Sequence, residues 1–317
     1  MYVLGIDAGG TKTHAAIGDE KGNILAEGYG GAANYQCCGI KVTSVSLAKA
    51  IEEALKNLND LLGNQTDPVT ISALQYAVFG MSGADEAEDI AVLNRLAGEI
   101  MGAIPFRVIH DAWIGLRAAS DDNVGVVSIC GTGAGHVGRN SHGDEDQLRN
   151  LDYITGNYGG GGQMVEDALH YAFRSEEGTG RKTSLEQVLP KLFEAKDMTG
   201  ICRILRHDEM TDGQRYHIPI AVFQEAQKGD RVAHDIIDRM GQTEGEYAAG
   251  LIRRLHMEQE KVPMILIGSL FRTGESILID AYMRTVNECA PSAYPVILQK
   301  APVSGAVKLA ADMVCTG

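Results

Sequence analysis

Apolar and polar positions at the start of the chain predict a three-strand meander built around a glycine-rich turn. MYVLGIDA is an apolar run of β-forming residues, GGTKT interrupts it, and THAAIGDE is a second run. Gly22 and Asn23 make a tight turn before a third run, ILAEGYG. Residues 44–62 then take a helical period, with Leu47, Ala50, Ile51, Ala54, Leu55 and Leu58 on one face. ISALQYAVFGMSGA predicts a strand that closes on glycine and small residues. Ile90, Val92, Leu93, Leu96 and Ile100 mark a helix over 89–101. FRVIHDA predicts another strand, ending on the polar pair His110-Asp111.

Near residue 123 the opening pattern returns. NVGVVSICGTGAGHVGRNSHGD is again strand, glycine-rich turn, strand and polar turn. The two segments share a shape more than a sequence, and their separation of about 120 residues is one domain length. One such hairpin per domain predicts two related lobes facing one cleft. The second half is more helical, with helices expected over 164–172, 184–195, 218–227, 231–255 and 276–286. KVPMILIGSLF and YPVILQK predict strands, and SGAVKLAADMV a last helix. The stretches 141–147 and 175–182 read as polar, mobile loops.

Composition narrows the function classes. A chain of 317 residues suits two domains, and 44% hydrophobic with 22% charged residues allows each a real core. The net charge of −14 argues against non-specific binding to nucleic acid or anionic membranes. It leaves room for a phosphate ligand held by backbone N–H groups and a cation. Six scattered cysteines without a paired spacing read as free thiols in a reducing compartment. MYVLGIDAGG has no secretory-signal pattern, and no run suits a membrane span, so a cytoplasmic protein is expected.

Four features carry candidate chemistry. In DAGGTKT a carboxylate, Asp7, ends a strand. Gly9 and Gly10 let the backbone approach a polyanion, while Thr11, Lys12 and Thr13 flank it, the two threonines as phosphate donors. Asp7 cannot bind phosphate itself, so its expected task is to hold Mg²⁺ through water. SICGTGAG offers Gly131, Thr132 and Gly133 for the same purpose in the second half, and a plain turn is the bland reading of each. In IHDA, Asp111 is either a proton acceptor for phosphoryl transfer or a helix cap. His110 reads as a structural or supporting residue. In LIGS, Gly268 and Ser269 would let a flat base approach the backbone. GNYGGGGQ opens a helix whose N–H groups could take an anion or a sugar oxygen, and Asn34 either contacts a substrate hydroxyl or caps the next helix.

LGIDAGGTKT, AAN, FGMSGADEAED, IHDA, ICGTGAG, ILIGS and SGAVKLA are similar in order and spacing to the BadF/BadG/BcrA/BcrD-type ATPase family. That family includes N-acetylglucosamine kinases and lies within the sugar kinase–actin–heat-shock-protein superfamily. The likeness spans nearly the whole chain. It implies an α/β fold of two ribonuclease-H-like lobes, each with a mixed five-stranded sheet, enclosing ATP and Mg²⁺. Residues 1–116 would form the first lobe, with a helix over about 303–317 packed back on it, and 117–302 the second. Asp111 would be the base. Asn34, Thr132, Asn157 and Gly159 would touch the sugar, Gly268 and Ser269 the adenosine, and the protein would be a homodimer. The resemblance therefore implies an ATP-dependent amino-sugar kinase. The alternatives are an ATPase activator of a dehydratase or reductase, or a non-catalytic sensor of the same fold. One departure stands out: GNYGGG occupies the place of an acidic GDEGS-like segment, so Asn157 and Tyr158 replace two carboxylates.

Overall fold

A computed structural model describes residues 1–63, 67–149, 153–273 and 276–315. The last two residues expected in the C-terminal helix lie outside the described residues. Two five-stranded sheets organise the chain. The first has the order β3-β2-β1-β4-β5, from β1 (Tyr2–Ala8), β2 (Thr13–Gly18), β3 (Ile24–Gly30), β4 (Leu74–Met81) and β5 (Phe106–His110). The second has the order β10-β9-β6-β7-β8, from β6 (Gly125–Cys130), β7 (Ala134–Arg139), β8 (Glu145–Gln147), β9 (Pro263–Ile267) and β10 (Tyr294–Ile297). Read outward from β1 and from β6, the two orders are the same. The expected α/β class with two mixed five-stranded sheets is what the chain adopts. By contacts the chain divides into one unit of residues 1–127, 139–145 and 298–317, and another of 128–138 and 146–297.

In the first unit, β1 pairs antiparallel with β2 and parallel with β4, which pairs parallel with β5. Strand alternation splits β1 between two cores. Leu4 and Ile6 join Leu47, Ile51, Phe79 and Leu93 beneath α2 (Ile40–Leu62) and α3 (Ala87–Met101). Val3 joins Val78, Ile109, Ile114, Val303 and Ala306 on the other face, beneath α4 (Asp111–Ala119) and a C-terminal helix, Val303–Cys315. Each such large aliphatic side chain contributes about 1.5–3 kcal/mol by leaving water. Close approach needs glycine: a Cβ on Gly5 would lie 2.5 Å from the Val307 nitrogen, and one on Gly305 only 1.9 Å from the Ile114 oxygen. Ahead of α2 the chain makes one short helical turn, α1 (Tyr35–Cys38).

Helices dominate the second unit. In chain order they are α5 (Gly160–Glu176), α6 (Leu185–Leu192), α7 (Met198–Arg206), α8 (Asp212–Gln227), α9 (Arg231–Arg254) and α10 (Ser276–Cys289), and the C-terminal helix is then α11. Gly241 and Gly245 of α9 let α10 cross closely, since a Cβ at either would lie within 2.4–2.7 Å of a backbone oxygen of α10. Ser128 Oγ and the buried Tyr282 hydroxyl tie β6 to α10 at 2.8 Å. Sequence pattern missed α7, a short helix with only Met198 and Ile201 buried. It also misread one loop: Glu145–Gln147 is strand β8, whose polar composition hid it. Residues 177–182 form a loop as expected, tied down by Arg174 donating to the Thr179 carbonyl and by the Thr183 amide donating to Ser175 Oγ.

Candidate active site

Strands β1, β4 and β5 run parallel, and their carboxyl ends meet at one edge: Ala8 pairs with Met81, and Met81 with His110. Open α/β sheets bind ligands at this edge. The first glycine turn is pinned there by the Gly9 amide on the Lys12 carbonyl at 2.9 Å and the Ser82 amide on the Ala8 carbonyl at 2.9 Å. Gly10, Thr11 and Lys12 are exposed, and a Cβ on Gly10 would meet nothing within 4 Å, so this backbone is open to a ligand. Thr13 is not. It begins β2 fully buried, and its hydroxyl donates to the Gly31 carbonyl at 2.8 Å, which corrects its reading as a phosphate donor. Asp7 stands at the end of β1. Burial and then the Asp111 carboxylate push its pKa up to about 7, against the pull of Lys12. A crowded carboxylate of this kind fits a water-shelled magnesium ion, whose charge offsets that cost.

Asp111 is the first residue of α4. The helix is capped instead by His110, whose Nδ1 accepts from the Ala112 amide at 3.1 Å, so the capping alternative for Asp111 falls away. Its carboxylate lies 3.1 Å from the same Nδ1 and remains one-fifth exposed. Burial raises the Asp111 pKa, opposed by His110. On the far side of the ring, Nε2 is 3.3 Å from Asp85 Oδ1. Burial pulls the His110 pKa down, but Asp111 and Asp85 outweigh it and the net direction is up. Asn34 is partly committed: its Oδ1 caps α1 by accepting from the Gln36 amide at 3.0 Å, and its Nδ2 donates to Ser82 Oγ at 3.2 Å.

In the second unit the matching turn closes with the Gly131 amide on the Gly133 carbonyl at 2.9 Å. Gly131 and Gly133 have open space where a Cβ would stand, and Thr132 is exposed. The GNYGGGG segment packs directly on it. The Gly161 amide donates to Gly131 O at 2.7 Å and the Gly162 amide to Thr132 O at 3.0 Å. The Gly160 amide favours the charged form of a buried carboxylate, Glu244 of α9. The first amides of α5 are therefore used inside the protein, and the expected anion site at this helix start is not formed. Glycine at 159 is required by crowding, since a Cβ would lie 2.1 Å from Glu244 Oε1.

Glu244 is fully buried, with its Oε2 3.1 Å from His136 Nε2, and burial pushes its pKa up to about 8. Sequence reasoning overlooked it; the available signal was a carboxylate between Met240, Gly241 and Ala248 on the apolar face of a helix. Tyr158 does not stand in for a carboxylate in open space: it turns inward, hydrogen-bonds Asp167 and lies under the Arg239 guanidinium at 4.9 Å. Asn157 is half-buried beside a cavity of about 390 Å³ shared with Gly156, Tyr247 and Arg254. Gly268 has a φ of 117°, and a Cβ there would lie 2.1 Å from the Cys130 oxygen, so strand packing alone demands glycine. Ser269 beside it is exposed.

The chain is similar to known proteins over nearly its whole length. A sequence model described as the BadF/BadG/BcrA/BcrD ATPase family matches residues 4–310. The N-acetyl-D-glucosamine kinase of Dictyostelium discoideum is 26% identical over 313 residues, 97% of each chain. The N-acetylmuramic acid/N-acetylglucosamine kinase of Clostridium acetobutylicum is 24% identical over 311 residues, 98% of each chain. Among solved structures, a candidate N-acetylglucosamine kinase from Chromobacterium violaceum superposes with a TM-score of 0.74 at 19% identity, covering 97% of this chain and 98% of that one. A ROK family glucokinase from Streptomyces griseus, in complex with glucose and AMPPNP, gives 0.63 at 17% identity with full coverage of both.

Proposed function

This chain belongs to the BadF/BadG/BcrA/BcrD ATPase family, and from that membership and the site geometry we propose that it is an ATP-dependent kinase acting on a hydroxyl of an amino sugar of the N-acetylglucosamine class. The observation that carries this reading is the placement of Asp111. It stands at the carboxyl end of β5, one-fifth exposed, with its backbone fixed in the first turn of α4. Full-length relatives named as kinases of N-acetylglucosamine support the choice of substrate class.

Asp111 accepts the proton of the sugar hydroxyl as its oxygen bonds to the γ-phosphorus and ADP leaves with the electron pair of the broken P–O bond. Its raised pKa brings the base closer to neutral pH, where general-base catalysis is most effective. In the first unit the exposed glycine turn at 9–12, and in the second the turn at 131–133, each offers phosphate oxygens its backbone N–H groups and a hydroxyl, Thr11 or Thr132. Asp7 holds magnesium through water, and the bound ion supplies positive charge against the phosphates. Asn34, Asn157 and Gly159 contact the sugar, and Gly268 with Ser269 borders the adenosine. These roles rest on position and chemistry in each unit.

Among the described residues no helix is long and apolar enough to cross a membrane. All six cysteines are free thiols, which supports work in the reducing cytoplasm. The homodimer implied by the family resemblance is proposed with it. The test is a coupled ADP-release assay against N-acetylglucosamine, glucosamine, N-acetylmuramic acid and glucose. The expected result is turnover with at least one amino sugar and weaker turnover with glucose. ADP release indifferent to every sugar would overturn the proposal.

A further inference from the structure

We infer that Asp85, acting through His110, is a positioning residue for the base; this rests on the reading of Asp111 as that base. The three side chains form one line. Asp85, in the connection between β4 and α3, meets His110 Nε2 at 3.3 Å, and His110 Nδ1 meets Asp111 at 3.1 Å. His110 is 7% exposed and Asp85 8%, so both polar partners are held out of water. A buried carboxylate and imidazole in contact fix each other firmly, because neither has solvent as an alternative partner.

The tautomer follows from the contacts. Nδ1 accepts a hydrogen bond from the Ala112 amide at 3.1 Å, so its lone pair points toward the start of α4. The ring proton then sits on Nε2, where Asp85 accepts it. Asp85 thereby decides which nitrogen faces Asp111, the logic by which a buried carboxylate orients a catalytic histidine. The consequence for the reaction is specific. Once Asp111 has taken the sugar proton it is a carboxylic acid 3.1 Å from Nδ1, whose one lone pair is engaged by the Ala112 amide, so the ring serves to fix where that carboxyl group stands. The proton remains on Asp111 while the phosphoryl group moves to the sugar.

The bridging and capping tasks of His110 can be separated. Asparagine is among the best helix-capping residues and can accept from the Ala112 amide, but it is too short to link Asp85 with Asp111. H110N therefore keeps the cap and cuts the line, and D85N keeps the shape at 85 while removing its charge. With ATP and the amino sugar turned over by the wild type, each variant is expected to lose about 10–100-fold in kcat, the usual effect of removing a residue that orients a functional group. KM for both substrates should stay near wild type. The thermal midpoint falls, because H110N leaves buried Asp85 without its imidazole, but the kcat loss is read on the folded enzyme well below that midpoint, where a merely structural role would leave kcat unchanged. The double variant should fall no further than the worse single one, because the two residues act as one unit. Wild-type kcat in H110N and D85N, with D111N inactive, would overturn the inference and leave the base assignment intact. A fully active D111N would overturn the base assignment itself. If D85N fails to fold, H110N alone decides.

Discussion

At the residue scale, glycines in the two exposed turns proposed for phosphate differ from the glycines that packing demands. Gly131 has open space at its missing Cβ and is not in the left-handed region, so Gly131→Ala costs the fold within about 0.5 kcal/mol. The same methyl group stands where the proposed site has phosphate approach, so KM for ATP should rise roughly tenfold, a loss of about 1.4 kcal/mol of binding. Thermal melts and initial rates check both halves; an unchanged KM would remove this turn from the nucleotide site. Glu244 makes a second residue-scale prediction. The unfolded chain ionises it near the ordinary glutamate value of about 4.3, whereas the fold keeps it neutral up to about pH 8. Its contribution to stability is complete below the unfolded value and is lost as pH rises through about 8. Glu244→Gln cannot titrate, so urea midpoints at pH 5, 6.5 and 8 should move steadily in favour of the variant. A gap that stays constant would contradict the assigned shift. The carboxylate ends of strands and the glycine turns were legible as single residues in the sequence. The Asp85–His110–Asp111 line was not, because its first member lies 25 residues from its second and only strand pairing brings them together.

At the scale of elements, the decisive junction in the first unit is the crossing of α11 with α4, the helix that carries Asp111. Gly305 lets the two backbones approach, since a Cβ there would lie 1.9 Å from the Ile114 oxygen and 2.6 Å from the Ala118 nitrogen. Backbone atoms cannot yield as a flexible side chain would. Gly305→Ala should therefore destabilise by about 1–3 kcal/mol, the usual penalty for overpacking, and disturb turnover with it because α4 moves. Chemical denaturation gives the first quantity and kcat the second; a variant as stable as wild type would mean that the crossing is looser than it stands here. Sequence pattern found the long amphipathic helices within a few residues, as with α9 (Arg231–Arg254) against an expected 231–255. It missed α7, whose Met198, Ile201, Ile204 and Leu205 do keep a helical period but over only nine residues, and the edge strand β8, three polar residues too short to show alternation.

For the whole molecule, the repeated order of the two sheets accounts for the echo heard twice in the sequence, a strand and glycine turn near residue 2 and again near residue 123. Duplicated architecture of this kind was legible because each hairpin writes its own pattern of alternation and glycine. The departure at GNYGGG was legible too, but its meaning was not. Tyr158 is turned inward toward Asp167, and the carboxylate nearest this turn, Glu244, comes from a helix some 85 residues further on. The account as a whole depends on one acid taking one proton. Measured side by side, Asp111→Ala should lose about 10²–10⁴-fold in the rate of sugar phosphorylation while its ATP affinity, read by calorimetry, stays within about twofold of wild type. An Asp111→Ala protein that phosphorylates the sugar at the wild-type rate would contradict it.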